Sequence, residues 1–102
     1  MERNKMDMET LMAQAQDLQT KIADAQNALG QMHVKGIAEN GGVVVSMTGK
    51  YDILSVVVRP EILSLSADKV SQIMTDAYKD AKAKADILIE KTMSSVTGSL
   101  SE

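Results

Sequence analysis

The chain predicts an α+β fold: a three-stranded antiparallel meander between two long helices. Two turn signals, Asn40-Gly41 and Gly49-Lys50, cut the stretch from Met32 to Pro60 into three short apolar runs. A heptad-spaced apolar seam precedes that stretch, and a stripe of small and branched residues at helical spacing follows it. The expected architecture is a two-layer α-β-β-β-α domain covering 1–102, with strands in the order 1-2-3.

The first helix is expected over about 7–29. Residues 1–6 are polar and expected to fray. Asp7 or Thr10 is the candidate N-cap. Apolar residues then fall at Met8, Leu11, Ala15, Leu18, Ile22, Ala25 and Leu29, in steps alternating between three and four. Gly30 stands where a glycine ends many helices.

The strands are expected at about 32–38, 42–48 and 51–59. Asn40-Gly41 suits a type I′ turn, which needs φ > 0 at both central residues. Gly49-Lys50 suits a type II′ turn, which wants glycine first. Pro60 ends the third run because it has no N–H to give a ladder. Two-residue loops pair Ala38 with Val43, Gly36 with Val45 and Val34 with Met47. They also pair Val43 with Val56 and Val45 with Leu54. One face then carries Val34, Gly36, Ala38, Val43, Val45, Met47, Leu54, Val56 and Val58, an apolar set that helices must cover. The opposite face is mixed. Its apolar members Ile37, Val44, Ile53 and Val57 have no evident partner within the chain. They are the candidate homodimer interface.

Glu61 to Leu65 forms a connection with room for one turn. Ser66 is the expected N-cap of the second helix, with Asp68 complementing the dipole in its first turn. Val70, Ile73, Met74, Ala77, Ala81, Ala85, Leu88 and Ile89 form one stripe. That helix is expected over about 67–95, stopped by Gly98, with a loose SLSE tail. Its length of about 43 Å exceeds the roughly 27 Å of an eight-residue strand, so the helices should overhang the sheet.

Composition excludes several chemistries. There is no cysteine, hence no disulfide, thiol nucleophile or thiolate metal site. The lone His33 falls on the mixed sheet face without partners and reads as a surface strand residue. Ser46, Thr48 and Ser55 have no base at motif spacing, and Gly41-Gly42 leads into a strand, not a phosphate-binding helix. No enzyme, cofactor or small-molecule substrate is indicated. Neither a membrane span nor a signal-peptide core is apparent. Aromatic content is 2%, so the eight methionines fill space that rings would otherwise occupy.

The functional content lies in the lysines. Lys79, Lys82 and Lys84 cluster on the second helix, with Lys91 two turns further on. Asp76, Asp80 and Asp86 stand three or four residues from them, as expected of a solvated helix face. The other reading is phosphate contact by point charges. No aromatics interleave in sequence with these lysines, which removes base stacking.

The order of the elements, together with certain short segments, resembles the YbaB/EbfC family of bacterial nucleoid-associated proteins. In the first helix the resemblance rests on Met12-Ala13-Gln14-Ala15-Gln16 and Leu18-Gln19. In the meander it rests on Gly36 through Gly42-Val43-Val44-Val45, Gly49, and Arg59-Pro60-Glu61-Ile62-Leu63. Met93-Ser94-Ser95-Val96-Thr97-Gly98 carries it at the end. The resemblance implies a tweezer-like cytoplasmic homodimer whose helical arms contact duplex DNA with little sequence preference. Lys21, Lys82, Lys84 and Lys91 are then the expected phosphate contacts. A net charge of −3, and an acidic first helix, favour an alternative: an adaptor dimer of the same fold that engages a protein.

Overall fold

The computed structural model describes residues 2–100, and side chains over 8–96. Helix α1 (Glu2–Gln31) leads into β1 (His33–Ala38), β2 (Val43–Thr48) and β3 (Ile53–Val58), and α2 (Ala67–Leu100) closes the chain. Tight 3-10 turns occupy Glu39–Gly41 and Pro60–Ser64. The sheet is antiparallel in the order β1-β2-β3. The molecule is a rod of 76 × 18 × 17 Å.

Both helices outrun their expected ends. Helix α1 extends back through the segment expected to fray, so neither Asp7 nor Thr10 is an N-cap. It also passes through Gly30 to Gln31. Helix α2 passes Gly98 to reach Leu100. A single glycine costs a helix only about 1 kcal/mol, which does not terminate one held by neighbouring turns. Met1, Ser101 and Glu102, the rest of the expected loose ends, lie outside the described residues. The start of α2 is as expected: Ser66 Oγ accepts from the Lys69 amide at 3.2 Å, and Asp68 lies in the first turn.

The first hairpin has the expected register, with Ala38 opposite Val43, Gly36 opposite Val45 and Val34 opposite Met47. The connection is not the expected two-residue type I′ turn: Glu39 (φ 52°), Asn40 (φ 53°) and Gly41 (φ 90°) all take positive φ and Gly42 is right-handed, making a four-residue loop that keeps the same register. The second hairpin departs further. Gly49 does not take positive φ; Tyr51 does, at 68°. The Tyr51 amide donates to the Thr48 carbonyl at 3.0 Å, and the Thr48 amide to the Asp52 carbonyl at 2.9 Å. The loop is therefore a three-residue turn, Gly49-Lys50-Tyr51, with the left-handed residue last. Thr48, expected on the mixed face, is buried under it, its hydroxyl accepting from the Lys50 and Asp52 amides. Leu54 then bulges out between the pairs Met47–Ile53 and Ser46–Ser55. The extra loop residue and the bulge each shift the register by one. Val43 consequently faces Val58 and Val45 faces Val56, two residues beyond the expected partners but on the expected face.

Gly49 is needed for a different contact. Its amide donates to the carbonyls of Leu29 (2.9 Å) and Met32 (3.1 Å), satisfying acceptors at the end of α1. A Cβ there would stand 2.7 Å from the Leu29 carbonyl. The turn thus plugs the C-terminus of α1.

The core is thin and lies between α2 and the first two strands. Val43, Val45, Met47, Ile62, Ile73, Ala77, Ala81 and Ala85 are its buried members. Helix α2 crosses β1 at Gly36, where a Cβ would overlap the Ala77 carbonyl and the Ala81 amide and lie 2.6 Å from Ala81 Cβ. The backbone of the helix rests on the backbone of the strand. Helix α1 packs against the C-terminal half of α2 and touches β2. Its seam is used only in part: Ala25 and Leu29 are buried, whereas Met8 and Leu11 are exposed.

Apart from Val58 at its end, strand β3 lies outside this packing. Leu54 and Val56, expected beneath the helices, are 51% and 41% exposed. The close approach at Gly36 draws α2 over β1 and β2, leaving the far edge uncovered. Replacing Gly36 by valine should lower stability by about 1–3 kcal/mol or more through overpacking, or several degrees of Tm per kcal/mol. Thermal unfolding followed by circular dichroism checks this. An unchanged Tm would show that α2 does not rest there.

Candidate nucleic-acid interface

The four lysines singled out in the sequence do not form one patch. Lys21 and Lys91 converge from opposite helices on a groove of about 540 Å³. Ala25, Met32 and Val96 form part of its apolar lining, and Asp24 is the acidic group within it. Lys21 is also paired with Asp17 at 3.1 Å, one turn back on α1. Among the described residues Lys91 has no ion-pair partner. Such convergence follows from the antiparallel packing of α1 against the C-terminal half of α2.

Lys82 stands elsewhere, beside the β2–β3 turn. Its ammonium lies 3.7 Å from Asp86 and 5.8 Å from the centre of the Tyr51 ring. The Tyr51 hydroxyl donates to the same Asp86 carboxylate. That hydrogen bond, followed by desolvation and the carboxylate charge, raises the phenol's pKa, because ionising it would set two anions side by side. The fold therefore brings a ring from a distant turn to a lysine whose nearest aromatic in sequence is Tyr78, one helical turn back. The sequence offered no signal for this: it depends on the positive φ of Tyr51.

Lys84 is committed to the fold. Its ammonium donates to the Lys35 carbonyl at 2.7 Å and pairs with Asp80 at 3.0 Å. Asp80 in turn accepts from the Ile37 amide at 2.9 Å. That amide first, and Lys84 second, hold the Asp80 carboxyl below its ordinary pKa. Of the expected solvated pairs, Lys82–Asp86 and Lys84–Asp80 form, while Asp76 accepts from Gln72 at 2.9 Å.

The mixed sheet face is open. On it Ile37 and Val57 are about half exposed and Val44 is partly buried, whereas the bulge at Leu54 sets Ile53, expected on this face, opposite Met47 on the helix-facing side, where it too is half exposed. With Leu54 and Val56 also exposed, β3 is apolar on both sides. Its hydrophobic area is larger than the sequence face assignment predicted. His33 is exposed, and no group of three or more His, Asp or Glu among the described residues is placed to hold a metal ion. No helix among the described residues is long and apolar enough to cross a membrane.

The comparisons agree with this architecture. A nucleoid-associated protein of Bradyrhizobium diazoefficiens is 37% identical over 91 residues, covering 88% of this chain and 86% of its own. One from Rhodospirillum rubrum is 38% identical over 94 residues, covering 88% and 85%. The crystal structure of an uncharacterized protein from Helicobacter pylori superposes with a TM-score of 0.59 at 14% identity. It covers 81% of this chain and 92% of its own, a likeness of fold. Residues 4–100 match the YbaB/EbfC DNA-binding family, and the chain belongs to that family.

Proposed function

We propose that the chain is a nucleoid-associated protein that binds duplex DNA as a homodimer, through phosphates and with little sequence preference. Family membership supports DNA as the partner. The observation that carries the mode is the meeting of Lys21 and Lys91 across the two-helix arm. Lys82, above its tyrosine, is the third contact. These ammonium groups displace counterions and read no base edges. Three lysines on each of two chains give at most about six contacts. Neighbouring Asp17, Asp24 and Asp86 reduce that number. Binding is then weak, about 10⁻⁴–10⁻⁶ M at physiological salt.

The dimer forms through β3 and the mixed face, by Ile37, Val44, Ile53 and Val57. A thin core and an uncovered apolar strand support this reading. The second reading, an adaptor dimer engaging a protein, is favoured by the exposed Met8, Leu11 and Met12 on an acidic α1.

Light scattering should give twice the chain mass of 11.0 kDa at micromolar concentration. Val57→Asp should give a folded monomer, since that side chain is exposed in the single chain and buried only in the pair. A monomeric parent would sink the dimer.

Gel-shift titration with random duplex should show saturable binding at low salt. The slope of log affinity against log salt should fall by about one for each of Lys21, Lys82 and Lys91 replaced by glutamine. No binding at low salt would leave the adaptor reading.

Lys84→Ala should behave differently, lowering Tm by several degrees, because it strips a charged hydrogen bond from the β1 carbonyl. Equal Tm values for Lys84→Ala and Lys82→Ala would show that Lys84 is only a surface charge.

A further inference from the structure

A three-stranded sheet has two edges, and the two edges of this one are unlike. In β1 the Lys35 carbonyl and the Ile37 amide point away from β2, toward the side where a fourth strand would add. Helix α2 fills both positions. Lys84 donates to the Lys35 carbonyl at 2.7 Å, and Asp80 accepts from the Ile37 amide at 2.9 Å. The two side chains are joined to each other at 3.0 Å. A residue of an added parallel strand, seated beside Gly36, would offer the same pair of groups: an N–H to residue 35 and a C=O to residue 37. The ion pair therefore takes the place of one residue of a missing strand. An antiparallel strand is also refused, because it too needs the Ile37 amide. At the opposite edge β3 is apolar on both faces, with Ile53, Leu54, Val56 and Val57 each more than 40% exposed.

We infer that Asp80 and Lys84 form a cap that closes the β1 edge to strand addition, confining sheet-mediated self-association to the β3 side. The occupant kept out is β3 of a second copy. It is the apolar strand in this chain that lies uncovered, and charged groups set against an edge are a known means of discouraging pairing. The difference is one of symmetry. Contact of β3 with β3 is isologous and closes as a pair. Contact of β3 with β1 is heterologous, and each added copy would present a fresh edge. The cap keeps the assembly finite. This inference rests on the proposed self-association through β3, and its test separates the two.

The experiment compares the parent chain with Asp80→Ala/Lys84→Ala. Amide exchange at Ile37 reads the cap itself: it should quicken by roughly tenfold or more in the variant, with helical circular dichroism retained. Light scattering over a concentration series reads the consequence. The parent should hold one mass, and the variant should grow beyond it as concentration rises. Adding Val56→Lys to the variant should abolish that growth by charging the incoming strand. If the double variant unfolds, Asp80→Leu, which keeps most of the volume and removes the acceptor from the Ile37 amide, carries the same comparison. Unchanged Ile37 exchange, or a folded variant holding the parent mass at every concentration, would overturn the cap. A monomeric parent with fast Ile37 exchange in the variant would overturn the dimer and leave the cap standing.

Discussion

The contact between Gly36 and the Ala77–Ala81 turn governs the rest of the structure. Helix and strand meet there backbone to backbone, closer than any side chain on β1 would allow. From that contact follows where α2 lies, over β1 and β2. It follows too that the helix presents alanines, because a larger residue at 77 or 81 would lift it off. A small-residue interface buries little area, so the core is thin at about 25 cal/mol per Å² of apolar surface. The same lateral position leaves β3 bare, and a bare apolar strand on a thin core favours association with another chain. The dimer reading and the packing at one glycine are thus linked causally.

The lysines divide by what they touch, not by where they fall in the sequence. Lys84 is bonded to a strand carbonyl and an ionised aspartate, so it serves stability. Lys21 and Lys91 lie on the helical arm, with the first loosely paired and the second without an ion-pair partner among the described residues. Exposed i,i+4 pairs contribute a few tenths of a kcal/mol and are screened by salt, so they surrender readily to a phosphate. With a net charge of −3 on the whole molecule, the positive potential of these lysines is local.

Much of this was legible in the sequence where local chemistry and global packing agree. Asn40-Gly41 set the first hairpin's register, Ser66 began α2, and Gly36 opposite Val45 marked the helix crossing. The second hairpin misled because its glycine serves a distant partner. Gly49 receives α1, and the positive φ falls on Tyr51, a residue type that rarely adopts it. Helix ends were misjudged at Gly30 and Gly98 because tertiary packing overrides a propensity of about 1 kcal/mol. Alternation alone places Leu54 and Val56 on the inner face but is silent on how far a helix extends sideways across it. The pairing of Lys21 with Lys91 needed the antiparallel helix packing, which no local pattern encodes.

The alanine stripe also raises a question of register. Ala77, Ala81 and Ala85 recur every four residues, so sliding α2 by one turn, about 5.4 Å, would set alanine on Gly36 again. Smooth packing alone is nearly degenerate under that slip. What makes the neighbouring registers unequal is the polar row alongside. Shift the helix one way and Lys84 arrives where Asp80 stood, presenting donors to the Ile37 amide, while Leu88 meets the Lys35 carbonyl. Shift it the other way and Ile73 takes the place of Ala77, whose backbone lies against Gly36, so that a branched side chain must fit where a methyl group did. The helix is thereby ratcheted: one direction is refused by mismatched hydrogen bonds, the other by volume. A chain that glides along alanines while folding has a single place to stop.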